Sequence, residues 1–152
     1  MKLKVGDMAP AIEANDQNGK KVSLAEYKGS RVILYFYPKD NTPGCTAEAC
    51  NLRDNYSMLI EKGYNILGVS ADSAASHQKF ISKYTLPFSL IPDTDKKIIK
   101  NYGVWGRKKF MGREYDGIIR MTFVIAEDGK ILKIFDKVKT KDHTDQILAE
   151  VE

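Results

Sequence analysis

Residues 32–37, Val-Ile-Leu-Tyr-Phe-Tyr, are apolar without a break, and Pro38 ends the run. A strand apolar at alternate positions can leave one face to water, but a strand apolar at every position must be covered on both faces. The chain therefore has to place helices or other layers on each side of the sheet that holds this segment. Residues 64–70 read as a second central strand and 118–126 as a third. The third turns through 127–130, where Asp128-Gly129 is a hairpin signal, into a strand over 131–135. Helices are predicted over 74–84, over 142–151 and, as one long element, over 42–63. In the long one Thr42 is the N-cap, Pro43 the first helical residue and Gly63 the residue just past the end. An N-terminal hairpin pairs 12–14 with 21–24 around Asp16 to Gly19, and Ser23 is expected to cap a short helix ending near Gly29.

Between 85 and 117 the pattern is weak. Leu86-Pro87 is a break and a short helix is expected over 95–102. Taken in order, β-α-β-α, a connecting region, then β-hairpin-α predicts an α/β fold of thioredoxin-like type, a central mixed sheet flanked by helices with the N-terminal hairpin as an extension. No repeat or linker-like stretch interrupts the 152 residues, so 1–152 is expected to be a single domain. The first ten residues are too polar for a signal peptide and no apolar run approaches the ~20 residues of a membrane span, so a cytoplasmic protein without membrane contact is expected.

The formal charge is +4, from 24 basic and 20 acidic side chains. The excess is local: residues 96–113 hold seven cations and no acid. Such a tract can meet phosphate backbones. Here it is interrupted by Ile98, Ile99, Tyr102, Val104, Trp105 and Phe110, which favours a solvated face of a folded unit, and no nucleic-acid partner is expected.

Only two cysteines are present, Cys45 and Cys50. A dithiol in a chain without a secretion signal points to catalysis, metal binding or redox sensing before a structural staple. With Thr42 as N-cap, Cys45 lies in the first helical turn, where unpaired amides and the helix dipole favour the thiolate, the nucleophilic form. It is four residues before Ala49 on the apolar stripe, which turns its sulfur toward the sheet. Cys50 is about 500° of rotation and about 7.5 Å of rise further on. Disulfides need Cα atoms within about 4.4–6.8 Å, so the two cannot bond while the helix is intact. Arg120 stands in Gly-Ile-Ile-Arg-Met-Thr-Phe-Val-Ile, residues 117–125, where a cation needs a partner such as a thiolate or the oxygen leaving from a peroxide. The Thr42 hydroxyl can cap the helix and also contact a substrate oxygen. His77 and His143 are far from both cysteines in sequence, and Cys-x4-Cys alone is weak zinc evidence, so no metal is expected. A thiol peroxidase, a disulfide exchanger acting on proteins and a basic nucleic-acid binder remain as readings of the residues, in that order.

Pro38-x-x-x-Thr42-x-x-Cys45 resembles the active-site motif of the peroxiredoxins. The longer run Phe36-Tyr-Pro-Lys-Asp-Asn-Thr-Pro-Gly-Cys-Thr-x-Glu48-x-Cys50, with Arg53-Asp54 after it, is similar to their PrxQ or bacterioferritin comigratory branch. The likeness extends to Asp93-Thr-Asp95, Tyr102-Gly-Val-Trp-Gly106 and Arg120-x-Thr-Phe-Val-Ile125. Leu52 departs from the Phe common in the family, without consequence for the chemistry. The resemblance implies a thioredoxin-dependent peroxidase of antioxidant defence that reduces hydrogen peroxide and organic hydroperoxides. It makes Cys45 the peroxidatic cysteine and Cys50 the resolving one, joined to it as a disulfide during turnover. It places Pro38, Thr42, Gly44 and Arg120 around the peroxide, with Thr42 and Arg120 stabilising the transition state. It further implies no metal or organic cofactor, thioredoxin or a similar dithiol as reductant, and a monomer.

Overall fold

The computed structural model describes residues 2–152. The fully apolar segment is β3 (Arg31–Phe36), the middle strand of a five-stranded sheet; β1 (Glu13–Asn15) and β2 (Lys21–Ser23) precede it as the expected hairpin. Asp16 closes that hairpin by accepting hydrogen bonds from the Asn18 and Lys20 amides. A 3-10 turn over Leu24–Tyr27 follows, with Ser23 at its N-cap position but no side-chain bond made there.

On one side of β3 lie β4 (Tyr64–Ser70) and β5 (Ser89–Pro92), both parallel to their neighbours. On the other side lie β8 (Met121–Ile125) and β9 (Ile131–Phe135), both antiparallel, so the sheet is mixed with order β5-β4-β3-β8-β9. The alternation of β3 explains why the run from Val32 to Tyr37 holds no charged residue. Val32, Leu34 and Phe36 enter one apolar cluster with Ile12, Ile98, Ile99 and Val104, while Ile33, Tyr35 and Tyr37 enter a second with Ala49, Leu52, Phe80 and Ile147. At about 25 cal/mol per Å² of apolar surface, burial on two faces makes this strand a main source of stability.

The second cluster is closed by α1 (Pro43–Asp54), α2 (Tyr56–Glu61), α3 (Ala74–Tyr84) and α5 (His143–Val151). The single helix expected over 42–63 is thus two helices. The Asn55 side-chain amide donates to the Asn51 carbonyl at 2.8 Å, taking the acceptor that the Asn55 N–H would use in a continuous helix. The third strand is also interrupted. Trp105–Phe110 (β6) and Arg113–Ile118 (β7) form a hairpin of their own, and Ile119 and Arg120 lie between β7 and β8 as the chain passes from that hairpin to the main sheet. Neither β5 nor this hairpin was assigned from sequence; α4 (Lys97–Asn101) falls inside the helix expected over 95–102. Among the described residues no helix is long and apolar enough to cross a membrane.

The basic tract lies on α4 and the β6–β7 hairpin. Arg107 is paired with Glu114 and Asp116 at 3.7 and 3.3 Å, and the Lys96 ammonium stands 5.2 Å from the centre of the Trp105 ring. Phe110 and Met111 are exposed at the hairpin tip.

Candidate active site

The loop between β3 and α1 carries Pro38 to Thr42, and α1 begins at Pro43. Thr42 occupies the N-cap position with extended backbone, yet its hydroxyl does not cap. It donates instead to the Lys39 carbonyl at 2.8 Å, which corrects the expected capping bond and leaves the hydroxyl oxygen free to accept. Cys45 is 1% exposed and packs in the second cluster beside Tyr35, Tyr37 and Ala49, as its place on the apolar stripe requires. Cys50, on the same helix, is half-buried, and both thiols are free. The intact α1 keeps them apart by its rise alone.

Arg120 reaches this sulfur because the interruption between β7 and β8 releases its side chain from the alternation of a strand. Its Nη2 donates to Cys45 Sγ at 3.3 Å and its Nη1 to Glu48 Oε1 at 2.7 Å. One guanidinium therefore bridges the thiol and a carboxylate that has no solvent exposure at all. Burial costs the Arg120 charge, but Cys45 and Glu48 beside it outweigh this and raise its pKa further above its ordinary value. Gly44 is what allows the approach. A Cβ there would meet Arg120 Nη2 at 3.1 Å. Pro38 is half-buried at the end of β3. Lys108 is the one cation of the basic tract turned toward this region: its Nζ donates to the Ile118 carbonyl at 2.7 Å, and burial together with the Arg120 charge lowers its pKa.

Glu48 received no role from the sequence, although its spacing held the signal. It is three residues after Cys45 and one before Ala49, so it falls on the buried stripe of α1, where an acid needs a cation. Burial pushes its pKa up to about 7 against the opposing pull of Arg120. Its Oε2 makes no hydrogen bond and lies 3.6 Å from His143 Nε2. That contact is not an ion pair. Burial lowers the His143 pKa to about 4, so its ring is neutral; Nδ1 donates to Gln146 Oε1 and Nε2 accepts from the Thr122 hydroxyl.

A second polar cluster lies behind the loop. Asp40, Asp72 and His77 bring three possible metal-ligand atoms within 4.8 Å of one another, but His77 Nδ1, Asp40 Oδ2 and Asp72 Oδ2 are already engaged in hydrogen bonds with each other, with serine hydroxyls or with the backbone.

A sequence model of the AhpC/TSA family matches residues 5–134. Peroxiredoxin Bcp of Escherichia coli is 47% identical over 146 residues, covering 96% of this chain and 94% of its own length. Peroxiredoxin Bcp of Bacillus subtilis is 45% identical over 148 residues, covering 97% and 94%. Among solved structures, peroxiredoxin Q of Xanthomonas campestris superposes with a TM-score of 0.85 at 34% identity, covering 92% of this chain and 89% of that one. A structure of the bacterioferritin comigratory protein of the same organism, described in terms of its alkyl peroxide reduction activity, has a TM-score of 0.85 at 33% identity over the same shares.

Proposed function

The chain belongs to the AhpC/TSA family, in the branch of the Bcp and Q peroxiredoxins, and is a peroxidase; from that premise we propose that Cys45 is its peroxidatic cysteine and Cys50 its resolving one. The observation that carries this reading is the 3.3 Å contact between Arg120 Nη2 and Cys45 Sγ in the first turn of α1. A fixed cation and the free amides of a helix start both stabilise a thiolate, and both stabilise the charge that grows on the departing oxygen as the O–O bond breaks.

In the proposed reaction the Cys45 thiolate attacks one oxygen of a hydroperoxide, the O–O bond breaks, and the other oxygen leaves as water or alcohol after taking a proton. Cys45 is left as sulfenic acid, the first step of cysteine oxidation. Thr42, whose own proton is committed to the Lys39 carbonyl, offers a lone pair to the peroxide O–H and so turns the attacked oxygen toward the sulfur. Gly44 and Pro38 line the approach. The Cys50 thiolate then attacks the Cys45 sulfur and expels hydroxide, which takes up a proton to leave as water, giving an intramolecular disulfide, for which the first turns of α1 must unwind. A dithiol protein of thioredoxin type returns both thiols by exchange. The chain acts in this reading as a single domain and a monomer, with hydrogen peroxide and organic hydroperoxides as substrates.

Intact-mass measurement after one equivalent of peroxide tests the assignment. The wild-type chain loses two hydrogens, Cys50→Ser gains one oxygen, and Cys45→Ser does neither. A Cys45→Ser protein that still consumes peroxide at the wild-type rate refutes the assignment. Turnover with thioredoxin and its reductase tests the reductant, and a rate no higher than with free thiols removes that part.

A further inference from the structure

The loop that carries Thr42 is tied to α3 and to the end of β4 by a buried cluster to which the reaction above gives no task. His77 is fully buried on α3. Its Nε2 lies 3.1 Å from the Ile91 carbonyl, which can only accept, so Nε2 bears a proton. Its Nδ1 lies 2.7 Å from Asp40 Oδ2, a distance that requires a second proton between them. The Asp40 carboxyl also receives the Tyr37 hydroxyl at 2.6 Å and the Ser76 hydroxyl at 2.8 Å. Burial opposes its charge, yet the hydrogen bonds from His77 and Tyr37 hold its pKa below the ordinary carboxylate value.

The peptide unit that precedes the Asp40 side chain is itself held at both of its polar atoms. The Asp40 N–H donates to Asp72 Oδ2 at 2.8 Å, and the carbonyl of that same peptide unit, Lys39 O, is the acceptor of the Thr42 hydroxyl. The next residue, Asn41, is held at a positive φ of 60°, a conformation disfavoured for a residue with a Cβ, and α3 contributes the Tyr84 hydroxyl to its side chain at 3.1 Å. We propose that Asp40 and His77 are positioning residues of the peroxide site: their buried, proton-bridged pair holds the Lys39–Asp40 peptide in the plane that orients the Thr42 hydroxyl toward the peroxide. The proposal rests on the reading of Cys45 as the peroxide-reactive residue.

The test uses the full chain carrying His77→Gln, Asp72→Ala, Thr42→Val, or Thr42→Val with His77→Gln. Two rates are read at Cys45: oxidation by hydrogen peroxide, and alkylation by iodoacetamide, which needs a thiolate but no oriented O–O bond. In folded His77→Gln protein, peroxide oxidation falls about tenfold or more while alkylation holds, because geometry and not thiolate content has been lost. The double variant is no slower than Thr42→Val alone, since both changes remove the same contribution. An unchanged peroxide rate, an equal loss of alkylation, or losses that multiply in the double variant each overturn the proposal. Should His77→Gln not fold, Asp72→Ala, which removes the acceptor shared by the Asp40 N–H and the Ser70 hydroxyl from a half-buried site, carries the same expectations. A wild-type Cys45 that peroxide does not oxidise overturns the functional reading and this one with it. A reactive wild type beside unaffected variants overturns this one alone.

Discussion

Glu48 sits with one oxygen on Arg120 and the other on nothing, in a site from which water is shut out. Its pKa, about 7 when folded against 4.5 in the open chain, makes the folded state bind a proton that the unfolded state has released. Stability from this group is therefore present below pH 4.5 and is lost as pH rises toward 7. His143 works in the other direction: with its pKa near 4 when folded, the unfolded state takes the proton first, and stability is lost as pH falls from 6.5. Glu48→Gln keeps an acceptor for Arg120 and removes the ionisation. Between pH 4.5 and 8, denaturant titrations should show the wild type losing about 3 kcal/mol relative to this variant; parallel profiles would show that Glu48 titrates normally. At Gly44 the expected change is in rate. A Cβ 3.1 Å from Arg120 Nη2 pushes the guanidinium a few tenths of an ångström from its place on the sulfur, so Gly44→Ala should slow the reaction of Cys45 with peroxide about tenfold. Its melting temperature should not fall, because Ala is the better helix former. Equal peroxide rates would mean that Arg120 yields without losing its contact.

At the level of elements, α1 has to be stable enough to hold Cys45 and loose enough to let Cys50 reach it. It ends early, at Asp54, because the Asn55 side chain captures the carbonyl that would have continued it. Its middle is tied to the start of α5 by Asn51, whose Oδ1 accepts from the Thr144 amide at 2.8 Å and whose Nδ2 donates to the Lys141 carbonyl at 2.9 Å. Unwinding α1 as far as Asn51 therefore releases the first turn of α5. Amide exchange on the dithiol and disulfide forms should show lost protection at residues 45–54 and at Thr144 together. Protection retained at Thr144 would confine the change to the turns before Asn51. Much of this element level was legible in advance: α3 was expected over 74–84, and the N-terminus of α1 was marked by Thr42, Pro43 and apolar spacing. The break at Asn55 and the release at Ile119 and Arg120 were not: the first turns on which carbonyl one side-chain amide takes within its own turn of helix, the second on strand partners supplied by folding. An asparagine is neutral in a helix until its amide finds a carbonyl, and the segment 118–126 looks continuous until its two ends join different sheets.

For the molecule as a whole, the two-sided burial of β3 sets the tolerance for change. Gly68 on β4 faces the second cluster, and a Cβ there would stand 2.6 Å from Leu90 Cδ2 and 2.9 Å from Tyr35 Cζ. Gly68→Ala should cost about 1–3 kcal/mol in a urea titration, the usual penalty of overpacking a filled core; an unchanged midpoint would mean that Tyr35 and Leu90 have room to move. The sequence alone determined the layered α/β architecture, since a fully apolar strand must be covered on both faces and the strands alternate with helical segments, and it singled out Cys45, Cys50, Thr42 and Arg120, since motif and spacing are local. What folding decided is which groups touch. Glu48 became the partner of Arg120, the Thr42 hydroxyl turned to Lys39 instead of capping α1, and Asp40 met His77 across 37 residues of chain. Charges and hydroxyls take their roles from whatever lies within about 3 Å, a distance that only the packed chain determines.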